Sequence, residues 1–293
     1  MNGKNGKIIP VVSTKGSVGK TSLVIHIAGY LASRGKKILL IDADSQQSLG
    51  RFFDYKLEPG VFVVDGFGRW LTGDAATEGV IRNTANHDNI DVIINDDPDK
   101  LGIPNFLRNN PGAVFKLGHL LKPLRQQYDY IFLDTEGTDG RDHNGNSVQH
   151  AVLFSYPDLV LSVTKTKNLF TSEILRTIDV YRFALKAYAN IGQADFHAPL
   201  RFIVNEHDYN LASSQGELEN IHSLIAEEIK MRGTDVQAMR TVVPVKRKFF
   251  ESAFKERIFA HDYQDPNVTH HINKVIADLC HELFPDLEQE VKL

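Results

Sequence analysis

One short segment near the amino terminus constrains the fold of this chain more than any other. An apolar run, Ile8-Ile9-Pro10-Val11-Val12, precedes a glycine-containing loop, and a helical pattern begins near Leu23. The loop reads Ser13-Thr14-Lys15-Gly16-Ser17-Val18-Gly19-Lys20-Thr21-Ser22. A strand, a glycine loop ending in Lys-Thr and a helix predict a phosphate-binding loop, because backbone N–H groups and the positive end of the helix dipole converge on one anion.

The loop residues have distinct predicted roles. Lys20 is expected to contact the outer phosphates, and the Thr21 hydroxyl is expected to coordinate Mg²⁺. The loop departs from the pattern G-x-x-x-x-G-K-[ST] because Thr14 stands where the first glycine is expected. The predicted binding residues are Lys15, Gly16, Ser17, Val18, Gly19, Lys20, Thr21 and Ser22.

Carboxylates follow two further apolar runs. Ile38-Leu39-Leu40-Ile41 is followed by Asp42 and Asp44, and Tyr130-Ile131-Phe132-Leu133 is followed by Asp134. Continuous apolar runs are typical of parallel strands that are covered on both faces, and ligands bind at the carboxyl ends of such strands. Asp42 and Asp44 are two residues apart and would point the same way in a strand. The position of Asp134 is that of an acid that positions Mg²⁺.

The rest of the chain alternates between strand and helix patterns. Four more apolar runs predict strands at 91–94, 159–164, 201–205 and 241–245. We therefore predict an α/β fold with a doubly wound, mostly parallel sheet flanked by helices. One domain is expected over residues 1–293, with a helical insertion at 51–90 and a C-terminal helix at 273–284. Pro10 conflicts with a central strand because it lacks an N–H.

Composition excludes several classes of protein. The 293 residues carry a formal net charge of −4, so the overall charge does not favour binding to nucleic acid. A local basic patch could still exist on a chain of this net charge. The single cysteine, Cys280, excludes a Cys-x-x-Cys cluster site and a disulfide framework. The polar amino terminus lacks a signal-peptide core, and no run reaches the ~18 apolar residues of a membrane span. A cytoplasmic protein is expected.

Three motifs resemble those of a known family. Residues 15–21, with Lys15 five residues before Lys20, resemble the deviant loop K-G-G-x-G-K-[ST] of the ParA/MinD superfamily of partition and positioning ATPases. Residues 42–47 resemble its segment D-x-D-P-Q-G, and residues 128–137 resemble Y-D-Y-I-I-I-D-T-P-P. This sequence departs from those patterns at a few positions, which are Ser17, Ser45, Gln47, Glu136 and Gly137.

The resemblance implies a P-loop ATPase of the deviant Walker A type, weakly active until a partner stimulates it. It implies ATP and Mg²⁺ as cofactors and a homodimer in the ATP state, in which Lys15 contacts the partner's phosphates. Asp44 would hold the attacking water, so that Asp44, Lys15 and Lys20 form the catalytic set. Thr21, Asp42 and Asp134 would place the metal.

Two further positions follow from the resemblance. Asn205 and Pro244 end the last two predicted strands and would border the adenine. No Asn-Lys-x-Asp guanine-recognition motif occurs in the sequence, which favours ATP over GTP.

The partition branch of the family binds DNA without sequence preference and works with a ParB-like activator. The candidate DNA-binding residues are Lys246, Arg247, Lys248, Lys255 and Arg257, and a solvated helix face is the alternative interpretation. DNA binding would make the protein nucleoid-associated. The MinD-like branch uses a basic C-terminal amphipathic helix at the membrane, and the acidic segment 286–290 disfavours that role here.

Three alternatives stay open at this point. One is a positioning ATPase with the same chemistry and a protein cargo. Another is a P-loop enzyme that phosphorylates or ligates a metabolite and does not bind DNA, although Lys15 argues against it. The third is a regulator that binds ATP and hardly hydrolyses it.

Overall fold

The computed structural model describes residues 5–55, 65–85, 87–97, 102–110, 112–137, 147–167, 171–264 and 270–287. Within these ranges one eight-stranded sheet has the order β3-β4-β2-β5-β1-β6-β7-β8. All neighbours pair in parallel except β3 and β4, so the predicted doubly wound, mostly parallel sheet is confirmed. The strands are β1 Lys7–Val12, β2 Ile38–Ala43, β3 Arg82–Asn83, β4 Ile90–Ile93, β5 Tyr130–Thr135, β6 Val160–Lys165, β7 Leu200–Asn205 and β8 Val236–Ala238.

Helices cover both faces of the sheet. The predicted C-terminal helix is present as Ile272–Leu283, one residue earlier at each end than expected. The α-helices of the described ranges are α1 Lys20–Ser33, α2 Ser48–Phe52, α3 Phe67–Thr72, α4 Thr77–Val80, α5 Gly102–Asn109, α6 Lys116–Leu121, α7 Val148–Leu153, α8 Thr171–Asn190, α9 Ala212–Arg232, α10 Arg247–Glu256 and α11 Ile272–Leu283.

The continuous apolar runs are explained by two separate hydrophobic layers. Ile8 and Val12 of β1 pack into one buried cluster, and Ile9 and Val11 pack into the other. Successive side chains of a strand point to opposite faces, so a strand covered on both sides needs apolar residues at every position. This packing holds the carboxyl ends of the strands, where the acidic residues lie, at one edge of the sheet.

The prediction of a strand at 241–245 is wrong. This segment runs beside the end of β7 and forms a single bridge, between His207 and Pro244. The backbone N–H groups of Val243 and Val245 donate to Val204 at 2.9 Å and to His207 at 3.1 Å, so the contact with β7 is limited to this short stretch. The segment is therefore tied to the sheet edge without becoming a strand of it.

The edge strand β8 and the antiparallel β3 were not predicted from the sequence. Both are too short, at three and two residues, to produce a recognisable pattern. The predicted insertion at 51–90 is partly helical, with α3, α4 and the end of α2, and it also contains β3. Residues 56–64 and 86 of that insertion lie outside the described residues, as do residues 288–290 of the acidic segment.

Pro10 fits the central strand because of where its nitrogen points. On the β6 side of β1, the N–H of Ile8 donates to the Asp158 carboxylate at 2.8 Å, and the C=O of Ile8 accepts from the Asp158 backbone N–H at 2.9 Å. Alternation along the strand directs the nitrogen of Pro10 to that same side. The pairing of β1 with β6 begins only at Val11, so the missing donor falls before the paired stretch.

None of the helices in the described ranges has the length and apolar character needed to cross a membrane.

Candidate nucleotide-binding site

A cavity of about 430 Å³ lies at the phosphate-binding loop. Seven of the eight predicted loop residues line it, together with Asp44, whereas Lys15 is not among its lining residues. The full lining is Gly16, Ser17, Val18, Gly19, Lys20, Thr21, Ser22, Asp44, Gln46, Ser48, Glu136, Gly137 and Phe254.

Gly19 sets the geometry between the loop and α1. Its φ of 96° lies in the left-handed region, and a Cβ there would stand 2.3 Å from the Asn205 amide nitrogen. That amide donates to the Val18 carbonyl at 2.8 Å. Asn205, at the end of β7, therefore stabilises the loop through this hydrogen bond. Neither Asn205 nor the buried Pro244 is among the residues lining the cavity. Their predicted place beside the adenine stays a prediction.

Lys20 is held inside the site. Its side chain is buried, and its ammonium donates to the Ser13 hydroxyl at 3.0 Å. Burial lowers the pKa of Lys20, and the nearby carboxylates Asp134, Asp44 and Glu136 act in the opposite direction. A buried cation of this kind is suited to an anionic ligand, because it has little water to lose on binding.

Thr21 and Asp134 meet as a metal site requires. The Thr21 hydroxyl donates to Asp134 Oδ2 at 2.6 Å, while Asp134 Oδ1 has no hydrogen-bond partner among the described residues. Asp134 and Asp42 are both fully buried, and β2 and β5 place them directly opposite each other. Burial raises the pKa of Asp42 and of Asp134, and their mutual repulsion adds to this for Asp42.

The donor set fits Mg²⁺. The described residues contain no group of three or more His, Cys, Asp or Glu side chains able to hold a metal. Mg²⁺ is commonly bound through one or two carboxylates, with phosphate oxygens and waters completing the octahedron. Thr21, Asp134 and Asp42 would hold it here, since an unpartnered buried oxygen and a repelling carboxylate pair both favour a cation.

Asp44 differs from the expectation of two carboxylates on one strand face. β2 ends at Ala43, so Asp44 lies just beyond the strand, half-buried, and lines the cavity. Its Oδ1 accepts the Gln46 N–H at 2.7 Å, and its own N–H donates to Asp42 at 3.2 Å. The two aspartates therefore have separate environments: Asp42 is enclosed by protein, and Asp44 faces the space where a ligand would bind.

Glu136 and Gly137 stand where the family pattern has Pro-Pro, and both contact neighbouring loops. The Ser45 hydroxyl donates to the Glu136 carboxylate at 2.8 Å, which joins the segment after β2 to the segment after β5. A Cβ on Gly137 would stand 2.3 Å from the Gly16 nitrogen and from the Lys15 carbonyl carbon. Only glycine allows this approach. These two residues therefore replace the family's Pro-Pro with direct contacts to both neighbouring loops.

The buried Gln149 of α7 extends these contacts. Its amide donates to the carbonyl of Ser13 at 2.6 Å and to that of Glu136 at 3.1 Å. The Ser13 hydroxyl in turn donates to the Lys15 carbonyl at 2.7 Å. The start of the phosphate loop is therefore fixed to the segment after β5 by hydrogen bonds.

Ser17 and Gln47 occupy backbone positions that favour glycine. Their φ values are 59° and 56°, and both stand where the family patterns have glycine. A left-handed conformation at a non-glycine residue costs on the order of 1 kcal/mol. Ser17 and Gln47 therefore each carry backbone strain that a glycine would not.

Replacing Ser17 with glycine is expected to raise the free energy of unfolding by about 1 kcal/mol, because glycine adopts positive φ without a Cβ clash. The shift in urea midpoint at constant slope measures it. Ser17→Ala is the matched control, since it removes the hydroxyl and keeps the Cβ, and it should leave stability unchanged. An equal gain in both variants would contradict the strain at this position.

The five residues of the predicted basic cluster differ in exposure and in ion pairing. Arg247, Lys248 and Lys255 are exposed on α10, with Glu251 and Glu256 also exposed on that helix. Arg257 forms an ion pair with Asp54, and Lys246, just before α10, is half-buried. The DNA-binding role of these residues stays a prediction.

The amino-terminal half of the chain is similar in sequence to partition proteins. A family model described as an AAA domain matches residues 6–140. The chromosome partitioning protein ParA of Myxococcus xanthus is 30% identical over 44% of this chain and 44% of its own length. The chromosome-partitioning ATPase Soj of Treponema pallidum is 32% identical over 44% of this chain and 48% of its own. The matches span less than half the length of these relatives.

Solved structures extend the likeness to the whole fold. The ATP complex of an aspartate-to-alanine variant of McdA from Cyanothece has a TM-score of 0.70 at 17% identity and covers 94% of this chain and 97% of its own. Cobyrinic acid a,c-diamide synthase of Mycobacterium smegmatis with ADP and magnesium has a TM-score of 0.66 at 17% identity, covering 86% and 91%. At this identity the likeness concerns the fold alone.

Fold and site together define a P-loop nucleotide-binding protein. The ParA and Soj sequence matches cover 44% of the chain, and the loop with Lys15 and Lys20 resembles the deviant Walker A loop of the ParA/MinD superfamily.

Proposed function

We propose that this protein is a Mg²⁺-dependent ATPase of the ParA type. The observation that supports it most is the Thr21–Asp134 hydrogen bond of 2.6 Å beside a cavity that Lys20 and Asp44 both line. That arrangement brings together groups that can bind phosphates, groups that can bind a metal ion and a carboxylate that can position a water molecule, all at one edge of the sheet.

Asp44 holds the attacking water in this proposal. It is the partly exposed carboxylate of the pair, so water and the terminal phosphate can reach it, whereas Asp42 is enclosed. Lys20 stabilises the charge on the transferred phosphoryl group, and Mg²⁺ held by Thr21, Asp42 and Asp134 neutralises the phosphates.

Lys15 acts across a dimer interface. It does not line the cavity of its own protomer, in contrast to Lys20. A lysine supplied by the partner would link dimerisation to ATP, because ADP offers it less negative charge to bind. On this proposal the homodimer forms in the ATP state, and Asn205 and Pro244 border the base.

The dimer binds DNA without sequence preference and partitions or positions DNA with a ParB-like activator. Pairing two copies of the α10 cations Arg247, Lys248 and Lys255 would multiply phosphate contacts. The protein would then be cytoplasmic and associated with the nucleoid.

Binding to random-sequence duplex DNA tests this proposal. The wild type is measured with ATP and with ADP, and the Lys15→Ala variant is measured with ATP, over a range of salt. We expect binding that requires ATP and Lys15 and that weakens by roughly 0.9 log units per phosphate contact for each tenfold rise in salt. Absence of binding under every condition would exclude DNA as the matrix.

A protein cargo in place of DNA is the second candidate. It is favoured by the two glutamates exposed among the α10 cations and by the Arg257–Asp54 ion pair, which together reduce the positive charge available for phosphates. An ATP-dependent dimer without DNA binding would support it. Loss of the ATP-dependent dimer as well would favour a metabolite-directed enzyme or a non-hydrolysing regulator.

A further inference from the structure

Phe254 is the one aromatic side chain among the described residues that line the phosphate cavity. It lies in the last turn of α10, directly after Ala253, which packs into the core. Phe254 itself is 38% exposed, so part of its side chain is accessible beside the cavity. The rest of the lining is glycine, hydroxyl, amide and charged groups, with Val18 as the remaining apolar residue.

The ring of Phe254 is backed by other aromatic rings. Its centroid lies 5.9 Å from that of Phe52, a buried residue of α2. Phe52 in turn contacts Phe53 at 5.0 Å and Phe259 at 5.6 Å between centroids. This packing supports the ring from one side while part of it faces the cavity.

A triphosphate and Mg²⁺ do not account for an aromatic ring in this lining. The loop amides, Lys20 and the carboxylates already provide what phosphates and the metal require. A planar heterocyclic base is the part of a nucleotide that gains from an aromatic face, and base–aromatic stacking is tolerant of base identity.

We propose that Phe254 stacks on the base of the bound nucleotide and makes the cavity select nucleoside triphosphates over inorganic triphosphate. This inference rests on the proposed function and deepens it. It assigns to a helix outside the nucleotide motifs a residue that determines ligand specificity. Asn205 and Pro244 would border the base, and Phe254 would supply the stacking contact.

Calorimetric titration of the full chain with Mg²⁺-ATP and with Mg²⁺-tripolyphosphate tests the inference. Phe254→Leu keeps apolar bulk and removes the ring, and Phe254→Tyr keeps the ring. We expect Phe254→Leu to weaken ATP binding about tenfold and to leave tripolyphosphate binding within about twofold. Phe254→Tyr should bind both ligands like the wild type. Phe183→Leu is the control, because Phe183 is 43% exposed on α8 and is not among the cavity-lining residues.

The outcomes separate this inference from the proposed function. If the wild type binds neither ligand, the proposed function fails, and the inference fails with it. If the wild type binds both and Phe254→Leu weakens them equally, or weakens neither, the proposed function stands and the stacking role of Phe254 is wrong. A loss confined to ATP that Phe254→Tyr does not show would support the inference.

Discussion

Replacing Asp134 with asparagine is expected to stabilise the nucleotide-free protein at pH 8 and to abolish its stabilisation by Mg²⁺-ATP. Burial raises the pKa of Asp134 to about 7 in the folded state, from 3.8. The protonation of Asp134 therefore makes its full contribution to the free energy of unfolding below pH 3.8. This contribution is lost as the pH rises through about 7. At pH 8 the ionised carboxylate costs on the order of a few kcal/mol, whereas asparagine stays neutral and can still accept from Thr21.

Urea unfolding at pH 4 and pH 8 measures the first effect. The variant should resemble the wild type at pH 4 and exceed it at pH 8. Mg²⁺-ATP at 100 times its Kd should stabilise the wild type by about 2.7 kcal/mol and should not stabilise the variant.

Asp91→Asn is the matched control for this experiment. Asp91 is another buried strand carboxylate, and it accepts hydrogen bonds from Asn83 and from Tyr128, each at 2.7 Å, away from the cavity lining. Its replacement should destabilise the fold, because the amide cannot accept on both sides, while the effect of Mg²⁺-ATP persists. An Asp134→Asn protein that is less stable at pH 8 and still stabilised by Mg²⁺-ATP would contradict the proposed metal site.

The Asp44→Ala substitution is expected to lower ATP turnover at least about 100-fold, the usual contribution of a positioned acid–base group, and to trap an ATP-bound dimer. Asp44 lines the cavity, whereas Lys20 donates to Ser13 and Thr21 donates to Asp134. Both of those hydrogen bonds remain when Asp44 is removed. Binding should therefore survive while hydrolysis fails.

Phosphate release under saturating Mg²⁺-ATP measures turnover, and nucleotide retained after gel filtration measures the trapped state. Asp88→Ala is the control, since Asp88 is an exposed aspartate in the turn before β4 and should leave both unchanged. Normal turnover in Asp44→Ala would remove Asp44 from the mechanism.

The parts of the molecule that the sequence predicted are those in which local residue types are fixed by a physical requirement. A strand covered on both faces must be apolar throughout, so β1, β2 and β5 were recognisable, and so were the acids at their ends. The phosphate loop was recognisable because its glycines and its Lys-Thr pair are required by backbone geometry and by ligand charge. The proximity of Asp42 and Asp134 followed, since the parallel strands β2 and β5 pair these two residues.

The remainder depends on packing between distant segments. Nothing local indicates that Phe254, far along the chain from the loop, reaches the same cavity, or that Gly137 contacts the Lys15–Gly16 backbone. Glu136 was recognisable as a departure from the family pattern. Its hydrogen bond with Ser45 could not be predicted from the sequence, because the two residues lie far apart along the chain. Asn205 was expected beside the base, and the structure shows its amide supporting the Val18 carbonyl.

The mass of the protein in solution tests the central proposal, an ATP-gated dimer, most directly. Sedimentation velocity is measured without nucleotide, with Mg²⁺-ADP and with Mg²⁺-ATP, using Asp44→Ala to prevent turnover and Asp44→Ala combined with Lys15→Ala to test the lysine. We expect a dimer with ATP only, and its loss when Lys15 is replaced. A monomer under all conditions, or a dimer that forms equally without nucleotide, would contradict the proposal.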